Sequence, residues 1–464
     1  MTKVRNPWAV LFALCVGQSL GLLNSTVVNV AIPAISAELG ASIDQILWVV
    51  NVYILVLTAL TMVGARFGDL FSPKRMYLAG LGVFTVASVA CGLAQSPGQL
   101  IGARVVQAVG SAMMSPQTLS IITKVFPADR RGAAIGVWGS FAGLSVAVAP
   151  SLGGLLVSAL DWRWVFYMNV PIGVAGFVLA VLIVPNVPAA ASRRLDLVGI
   201  GLLTGGLFLI TYALIESVPL LLAAGVAAVV AFVWVERGRQ DRDPLLPFVV
   251  VKDRNFSLMS GVTATIACGI GCTFLLVFLH LQVGAGMSAL TSGLLVAVAP
   301  LVSVFFSPLS GRLTDRYGGK YVLVCGLVLS AAGIGLLALE TTVTTSWQAL
   351  LPALFVLGAG MGIIFSPGGT IAMRTIDPAN SGAASGVLSL SRMVGSSVGS
   401  AAAGAVLQLQ LAAAGAAGSD FGSVPPQAIT DAVRVAYLLP VAVLVVGAGL
   451  SLAARTTRPA PAGM

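Results

Sequence analysis

Charged residues and histidine are scarce in this chain. Of its 464 residues, 9% are charged and one is histidine, whereas 58% are hydrophobic. Ordinary soluble domains carry roughly 25% charged residues, so the composition excludes a soluble globular protein. The five cysteines lie in apolar runs and, with one histidine, give no zinc-type set of ligands, so we expect no metal or other cofactor. The composition indicates a polytopic protein embedded in a lipid bilayer.

Acidic residues are missing from the parts of the chain where the membrane centre is expected. All 16 Asp and Glu residues fall in predicted loops or near predicted helix ends. Proton-driven transport usually relays protons through buried carboxylates or histidines. The same shortage leaves no acid–base pair for an enzyme, and no soluble segment is long enough for a receptor's signalling domain. His280 falls near an outer helix end, where an interface role and titration near neutral pH both remain open.

Long apolar runs are what the chain has in abundance. About 20 apolar residues span a bilayer, and we find fourteen runs of about that length, separated by charged or turn residues. They lie near 8–33, 47–68, 76–95, 100–122, 133–157, 164–184, 197–215, 219–236, 256–282, 288–309, 321–339, 347–371, 383–408 and 433–454. The pattern predicts an all-α integral membrane protein with fourteen transmembrane helices.

The basic residues give this topology an orientation. If the N-terminus is cytoplasmic, the predicted inner segments hold 21 of the 25 Lys and Arg residues. Cytoplasmic loops of membrane proteins carry such an excess. The net charge of +9 therefore reports topology, not binding to nucleic acid. We expect a multi-pass protein of the inner membrane with both termini in the cytoplasm.

Two loop motifs repeat in register. Ala65–Lys74 follows the second predicted helix and Gly311–Lys320 follows the tenth. Each has Arg in its second position, an acid three residues after that Arg and Lys five residues after the acid. Either loop alone could be an ordinary topogenic loop, but recurrence in two halves is typical of duplicated transporters. These positions and their neighbours are the gating candidates: Gly64, Gly68, Asp69, Lys74 and Arg75 in the first half, and Gly311, Asp315 and Arg316 in the second.

Further motifs lie on the fourth and fifth predicted helices. The fourth reads Arg104-Val-Val-Gln107-Ala108-Val-Gly110. The fifth contains Pro150, Gly153 and Gly154, which are further gating candidates. With the loop motifs, these residues make the chain resemble the major facilitator superfamily, and within it the fourteen-helix drug:proton antiporters. The resemblance implies a six-helix bundle at 1–186, two inserted helices at 187–236, a cytoplasmic connection at 237–255 and a second six-helix bundle at 256–464. It also implies a monomer.

The first predicted helix holds polar residues where hydrocarbon should surround it. Asn24, Ser25, Thr26 and Asn29 lie in this run, and unsatisfied amides in lipid cost several kcal/mol. Asn24 and Asn29 are roughly 140° apart on a helix, whereas Ser25 and Asn29 share a face. The family usually has an aspartate at the position of Asn24. This amide cannot ionise, and it is either natural or engineered.

Two cations and several aromatic residues complete the candidates for substrate binding or coupling. Arg104, with Gln107 one turn on, is either a buried cation or a side chain that reaches the headgroups. Arg392 lines a cavity or belongs to a gate. Tyr53, Trp138, Met361 and Phe365 are candidates to line an apolar cavity.

The leading hypothesis is a secondary active exporter of amphipathic, drug-like or secondary-metabolite molecules that works by alternating access. Proton coupling follows from the resemblance and not from the residues, since Asn24 carries no charge. Without a buried anion, the chain suits neutral, zwitterionic or anionic substrates better than strongly cationic ones. The alternative is an uncoupled facilitator or a lipid-handling transporter.

Overall fold

The structure is a computed structural model, and it describes residues 6–186, 196–216, 218–239, 248–317, 319–373, 376, 381–415 and 424–454. Its regular structure in these ranges is helical. The predicted all-α class is therefore confirmed. The predicted connection 237–255 lies partly outside the described residues, as does the boundary near residue 187.

The chain divides into two compact units, Met1–Ala213 with Val218–Phe232, and Leu214–Ser217 with Val233–Met464. The first nine helices along the chain are α1 Pro7–Leu39, α2 Ile43–Phe71, α3 Pro73–Gly92, α4 Pro97–Val125, α5 Ala128–Ala159, α6 Trp164–Tyr167, α7 Asn169–Ile183, α8 Leu197–Ile215 and α9 Pro219–Arg237. The helices that follow are α10 Phe248–Val251, α11 Arg254–Leu279, a π-helical turn His280–Gly284, α12 Ala289–Tyr317, α13 Gly319–Glu340, α14 Trp347–Met373, α15 Ser381–Ala413, α16 Pro426–Ala436 and α17 Leu438–Ala453.

Each of the fourteen predicted segments overlaps a helix. In the described part of the chain, ten helical stretches are long and apolar enough to cross a membrane, and two shorter apolar ones lie in α5 and α8. The remaining two predicted segments correspond to the more polar helices α4 and α15. Two segments are broken: the sixth is α6 and α7, which meet at Met168, and the last is α16 and α17, which meet at Tyr437.

Local sequence signals set the turn between α1 and α2. Gly40 ends α1 in the left-handed conformation, with φ 59° and ψ 34°, a conformation that glycine adopts without steric cost. Ser42 and Gln45 then form a capping box at the start of α2. Together they satisfy backbone donors that the first turn leaves unpaired.

The two units use the same set of helix pairs. In the first, α3 and α2 pack on α4, while α1 packs on α5 and α7, and α7 also packs on α3. In the second, α13 and α12 pack on α14, while α11 packs on α15 and α17, and α17 also packs on α13. This correspondence places α4 and α14 at equivalent positions inside their units.

The core of the first unit joins side chains from α1, α2, α3, α4, α5 and α7. Its largest members, Tyr53, Tyr77, Phe84 and Phe126, are at most 1% exposed. Polar residues of the same helices are buried beside this core. Because buried polar groups need partners, their arrangement defines the candidate site.

Candidate functional site

Helix α1 carries polar side chains on two faces. Gln18, Ser25 and Asn29 follow one another along one face, and the Ser25 hydroxyl donates to the Leu22 carbonyl at 2.7 Å. The side-chain oxygens of Gln18 and Asn29 are buried and accept no hydrogen bond. Asn24 lies on another face and is fully buried. The structure thus separates Asn24 from the Ser25–Asn29 face, as the helical spacing predicts.

Gln107 on α4 connects three buried polar side chains. Its Oε1 accepts from Asn24 Nδ2 at 2.9 Å and from a terminal guanidinium nitrogen of Arg104 at 3.0 Å. Its Nε2 donates to Ser88 Oγ on α3 at 2.8 Å. All four residues are at most 1% exposed. We call Asn24, Ser88, Arg104 and Gln107 the amide network.

Arg104 is the only cation of this network, and its remaining contacts are neutral. Its Nε donates to the Val49 carbonyl at 3.1 Å, and its guanidinium carbon lies 4.3 Å from the centroid of the Tyr53 ring. No carboxylate among the described residues pairs with it. The 1% exposure of Arg104 rules out a side chain that extends to the headgroups. The network therefore holds an uncompensated positive charge, which is costly inside a protein.

Tyr53 on α2 connects the amide network with α1 and α4. Its hydroxyl lies 3.2 Å from the Gly21 carbonyl oxygen and 3.0 Å from Ser111 Oγ, so one of these oxygens accepts its proton. The Asn24 side chain lies beside the same hydroxyl. Tyr53 is thus part of the packed interior of the first unit.

One atom of the amide network is left without a partner. Asn24 Oδ1 is buried and accepts no hydrogen bond. An unpaired buried acceptor costs roughly 1–3 kcal/mol. The Asn24 position is therefore imperfectly matched to its surroundings, which include a buried cation.

The α5 candidates lie where α5 crosses α1. Pro150 is inside α5, and Pro150, Gly153 and Gly154 are buried. A Cβ on Gly153 would come within 2.5 Å of Val27 Cγ2 on α1. Small residues at such positions let two membrane helices approach closely. The α5 motif therefore packs against the same helix that carries Asn24.

The first two glycines of the gating candidates, Gly64 and Gly68, lie at the crossing of α2 and α4. A Cβ on Gly64 would clash with the Ala112 carbonyl, and one on Gly68 with the Gln117 side chain. Gln117 Nε2 also donates to the Gly64 carbonyl at 2.7 Å. The motif thus ties the end of α2 to α4. Its partner Gln117 was not predicted, because a lone glutamine carries no recognisable pattern.

The charged residues of the loop motifs have few described contacts. Lys74 Nζ donates to the Val181 carbonyl near the end of α7 at 3.0 Å, where a cation offsets the negative end of the helix dipole. Arg75 and Arg316 are exposed, and Gly311 is half-buried. The side chains of Asp69 and Asp315 lie outside the described residues.

The other predicted residues are dispersed. Trp138 on α5 is half-buried and its Nε1 has no partner, whereas Met361 on α14 lines a cavity in the second unit. Arg392 on α15 is exposed. The Phe365 side chain lies outside the described residues. No group of three or more His, Cys, Asp or Glu side chains in the described ranges could hold a metal ion.

Two features escaped the reading of the sequence. Glu38, at the end of α1, accepts from Trp162 Nε1 at 2.7 Å and forms an ion pair with Arg163. His280 is 2% exposed and neither ring nitrogen has a hydrogen-bond partner, so its burial does not fit the interface role that was left open for it. Both depend on contacts between distant segments, which single-residue patterns do not report.

Comparison with known proteins identifies what this arrangement resembles. The family described as Major Facilitator Superfamily matches residues 14–281 and 259–463. An MFS-type transporter of Mycobacterium tuberculosis is 39% identical over 418 residues, which cover 88% of this chain and 72% of that protein. The probable actinorhodin transporter of Streptomyces coelicolor is 35% identical over 86% of this chain and 72% of that protein. The multidrug resistance protein Stp of M. tuberculosis is 32% identical over 87% of this chain and 76% of that protein.

The fold has solved counterparts. A crystal structure of a bacterial homologue of the human lysosomal transporter Spinster superposes with a TM-score of 0.69 and 17% identity. The superposition covers 98% of each chain. At this identity the likeness concerns the fold alone.

Proposed function

Because the chain belongs to the Major Facilitator Superfamily of membrane transporters, we propose that it is a secondary active exporter of amphipathic drug-like or secondary-metabolite molecules. It works by alternating access. The observation that carries the proposal is the amide network, a fully buried polar cluster in a chain that is similar to a tetracenomycin C resistance and export protein of Streptomyces glaucescens. Polar residues inside a membrane protein are costly and usually functional.

The charge of the network suggests the substrate class. Arg104 has no described carboxylate beside it, and Asn24 supplies an amide where the family usually has an acid. At an effective dielectric constant of about 20, a unit positive charge about 10 Å away is repelled by roughly 1.7 kcal/mol. That repulsion lowers affinity for a cation by more than about tenfold. The proposed substrates are therefore neutral, zwitterionic or anionic.

Proton coupling is the family's usual energy source, and this chain lacks its usual residue. Asn24 cannot bind and release a proton, and His280 is the one imidazole in the sequence. The uncoupled facilitator is the alternative that Asn24 favours. A proton-coupled protein would lose export when the gradient collapses, whereas a facilitator would not.

The proposed arrangement in the membrane follows from the basic residues. The chain crosses a bacterial inner membrane fourteen times with both termini in the cytoplasm, as the excess of Lys and Arg in alternate loops supports. Residues 1–186 and 256–464 form the duplicated halves, with 187–236 as inserted helices and 237–255 as a cytoplasmic connection. The repeated helix pairs of the two units support the duplication.

Inside-out membrane vesicles test the function. We expect wild-type vesicles to accumulate actinorhodin and the neutral dye Nile red above vesicles without the protein, and to accumulate the cation ethidium at least about tenfold less. Collapse of an imposed pH gradient then separates a coupled exporter from a facilitator. Equal accumulation of every compound with and without the protein would overturn the proposal.

A further inference from the structure

Two close crossings fix the position of α15 along α11 in the second unit. A Cβ on Gly395 would clash with the Ala264 carbonyl, and a Cβ on Gly399 would clash with the Cys268 carbonyl. A step of four residues on α15 therefore matches a step of four residues on α11. The two helices run parallel in this register.

The register places Arg392 of α15 inside the apolar part of the unit. Arg392 is level with Gly261, which follows the start of α11 at Arg254 by seven residues. At 1.5 Å per residue, this level lies roughly 10 Å inward from the charged end of a stretch that is apolar enough to cross a membrane. Arg392 is nevertheless exposed. A cation at such a depth is costly against hydrocarbon and marks a substrate or ion pathway, so its guanidinium contacts water or a polar ligand.

The guanidinium of Arg392 has no partner in the part of the chain that the structure describes, neither a hydrogen-bond acceptor nor a carboxylate. Arg104, by contrast, donates to Gln107 Oε1 and to the Val49 carbonyl and lies over the Tyr53 ring. A guanidinium carries five N–H donors in a plane that matches the two oxygens of a carboxylate. Of these two intramembrane cations, Arg392 is therefore the one whose donors are available to a ligand.

Two serines share the face of α15 on which Arg392 lies. Ser389 is three residues before it and Ser396 is four residues after it, a spacing that brings the three side chains together on a helix. Both serines are half-buried, and neither hydroxyl makes a hydrogen bond within the described ranges. Each hydroxyl can donate one. We call Ser389, Arg392 and Ser396 the α15 polar stripe, which offers one positive charge and two hydroxyl donors.

An adaptable apolar side chain borders the α15 polar stripe. Met393 lies four residues after Ser389 and three residues before Ser396, and it is half-buried. A methionine side chain is flexible and packs favourably against aromatic rings. The stripe thus combines donors for an anion with an adjoining surface for an apolar ring.

We propose that the α15 polar stripe binds an anionic group, a carboxylate or a phenolate, attached to an aromatic body of the exported molecule. The oxygens of the anion accept from the Arg392 guanidinium and from the serine hydroxyls, and hydrogen bonds to a charged group are stronger than neutral ones. The statement that the anion belongs to the exported molecule rests on the proposed exporter function. Binding of the anion to the stripe does not depend on that function.

Binding of 6-fluoro-2-naphthoate, an anion at pH 7, to the full-length protein in phosphatidylcholine nanodiscs tests the site by ¹⁹F NMR. The neutral match is 6-fluoro-2-naphthamide. We expect Arg392→Gln to weaken naphthoate binding at least about tenfold and to change naphthamide binding less than about twofold, because only the anion depends on the charge. Arg392→Lys keeps the charge without the planar donors, so its affinity should lie between those of wild type and Arg392→Gln.

Two further variants sharpen the comparison. Replacing both Ser389 and Ser396 by Ala should weaken naphthoate binding about threefold or more, since two donors to the anion are lost. Arg434→Gln is the matched control, because Arg434 is exposed on α16 of the same unit, and its naphthoate affinity should equal that of wild type. Thermal unfolding checks that each variant is folded.

Inside-out vesicles connect the site with export. At a naphthoate concentration below saturation, wild-type vesicles should take up the naphthoate at least about fivefold faster than Arg392→Gln vesicles, whereas their rates for neutral Nile red should agree within about twofold. Undiminished naphthoate uptake by Arg392→Gln vesicles, although binding is lost, would show that the site does not serve export.

Three binding results would also overturn the proposal. One is equal affinity of wild type for the naphthoate and the naphthamide, and another is undiminished naphthoate affinity of folded Arg392→Gln. The third is native mass spectrometry in which phosphatidylglycerol stays bound to wild type but not to Arg392→Gln, since the cation would then hold a lipid headgroup. Wild-type vesicles that take up no compound would instead remove the exporter function, and the binding comparison alone would then decide whether the stripe is an anion site.

Discussion

Restoring an acid at Asn24 is the most informative single change in this protein. Asn24 Nδ2 and an Arg104 nitrogen donate to the same Gln107 oxygen at 2.9 and 3.0 Å, so these nitrogens lie within about 6 Å of each other. Asn24→Asp would place a carboxylate beside a buried cation that has no described carboxylate partner. The substitution keeps the size of the side chain and changes its charge.

The magnitudes make this carboxylate able to gain and lose a proton. At about 6 Å and an effective dielectric constant near 20, attraction to Arg104 stabilises the ionised form by roughly 2.8 kcal/mol. Removing a carboxylate from water costs several kcal/mol, and the bond from Asn24 Nδ2 to Gln107 is lost as well. Since these opposing terms are similar in size, small rearrangements around the site decide its protonation. A proton-coupled transporter requires such a balance.

Transport in proteoliposomes with an imposed pH gradient measures the effect. We expect Asn24→Asp to raise the dependence of efflux on the gradient about fivefold or more above that of wild type. Asn29→Asp is the control, because Asn29 lies on the other polar face of α1, away from Arg104. A folded Asn24→Asp variant whose efflux ignores the gradient would refute the idea of a missing switch at this position.

Three further changes test the packing of the first unit by thermal or denaturant unfolding. Gln107→Leu removes the acceptor of Arg104, so we expect the free energy of unfolding to fall by about 3–5 kcal/mol. An unchanged free energy of unfolding would show that the amide network does not stabilise the unit. Gly64→Ala should lower the free energy of unfolding by about 1–3 kcal/mol, because the added Cβ meets the backbone of α4. Gly98→Ala is the control: an added Cβ there has no atom within 4 Å, so the free energy of unfolding should change by at most about 0.5 kcal/mol. Glu38→Gln removes a partly exposed ion pair, so a loss of at most about 1 kcal/mol is expected, and a larger loss would show that the contact is better shielded than its exposure indicates.

Hydropathy and periodicity predicted the helices well, because a span needs a fixed length of apolar residues whatever its neighbours are. They did not predict the breaks at Met168 and Tyr437, where helices end and restart inside one apolar stretch. Pro171 and Pro440 are the signals that were overlooked, since each lies in the first turn of the restarted helix, where its missing N–H removes a bond to the preceding helix.

The candidate site was predicted in part. The spacing on α1 indicated that Asn24 and Asn29 face different ways, and the pair Arg104 and Gln107 was recognised as one turn apart. Their common partner Ser88 lies on another helix, and its hydrogen bond depends on how α3 packs on α4. Hydrogen bonds between side chains of different helices depend on tertiary packing, and the spacing of residues along one helix does not predict that packing.

The cavity of the second unit was missed for a related reason. Met361 was recognised as a candidate to line an apolar cavity. The position of the cavity could not be predicted, because an unfilled volume depends on how several helices pack together.

Substrate counterflow in proteoliposomes tests the central claim, that this chain is an exporter working by alternating access, without assuming an energy source. Liposomes with the purified protein are loaded with unlabelled actinorhodin and diluted into a trace of the labelled compound. The account predicts a transient accumulation of label above its equilibrium level, which protein-free liposomes lack. A monotonic rise to equilibrium at the protein-free rate, repeated for Nile red, would contradict it.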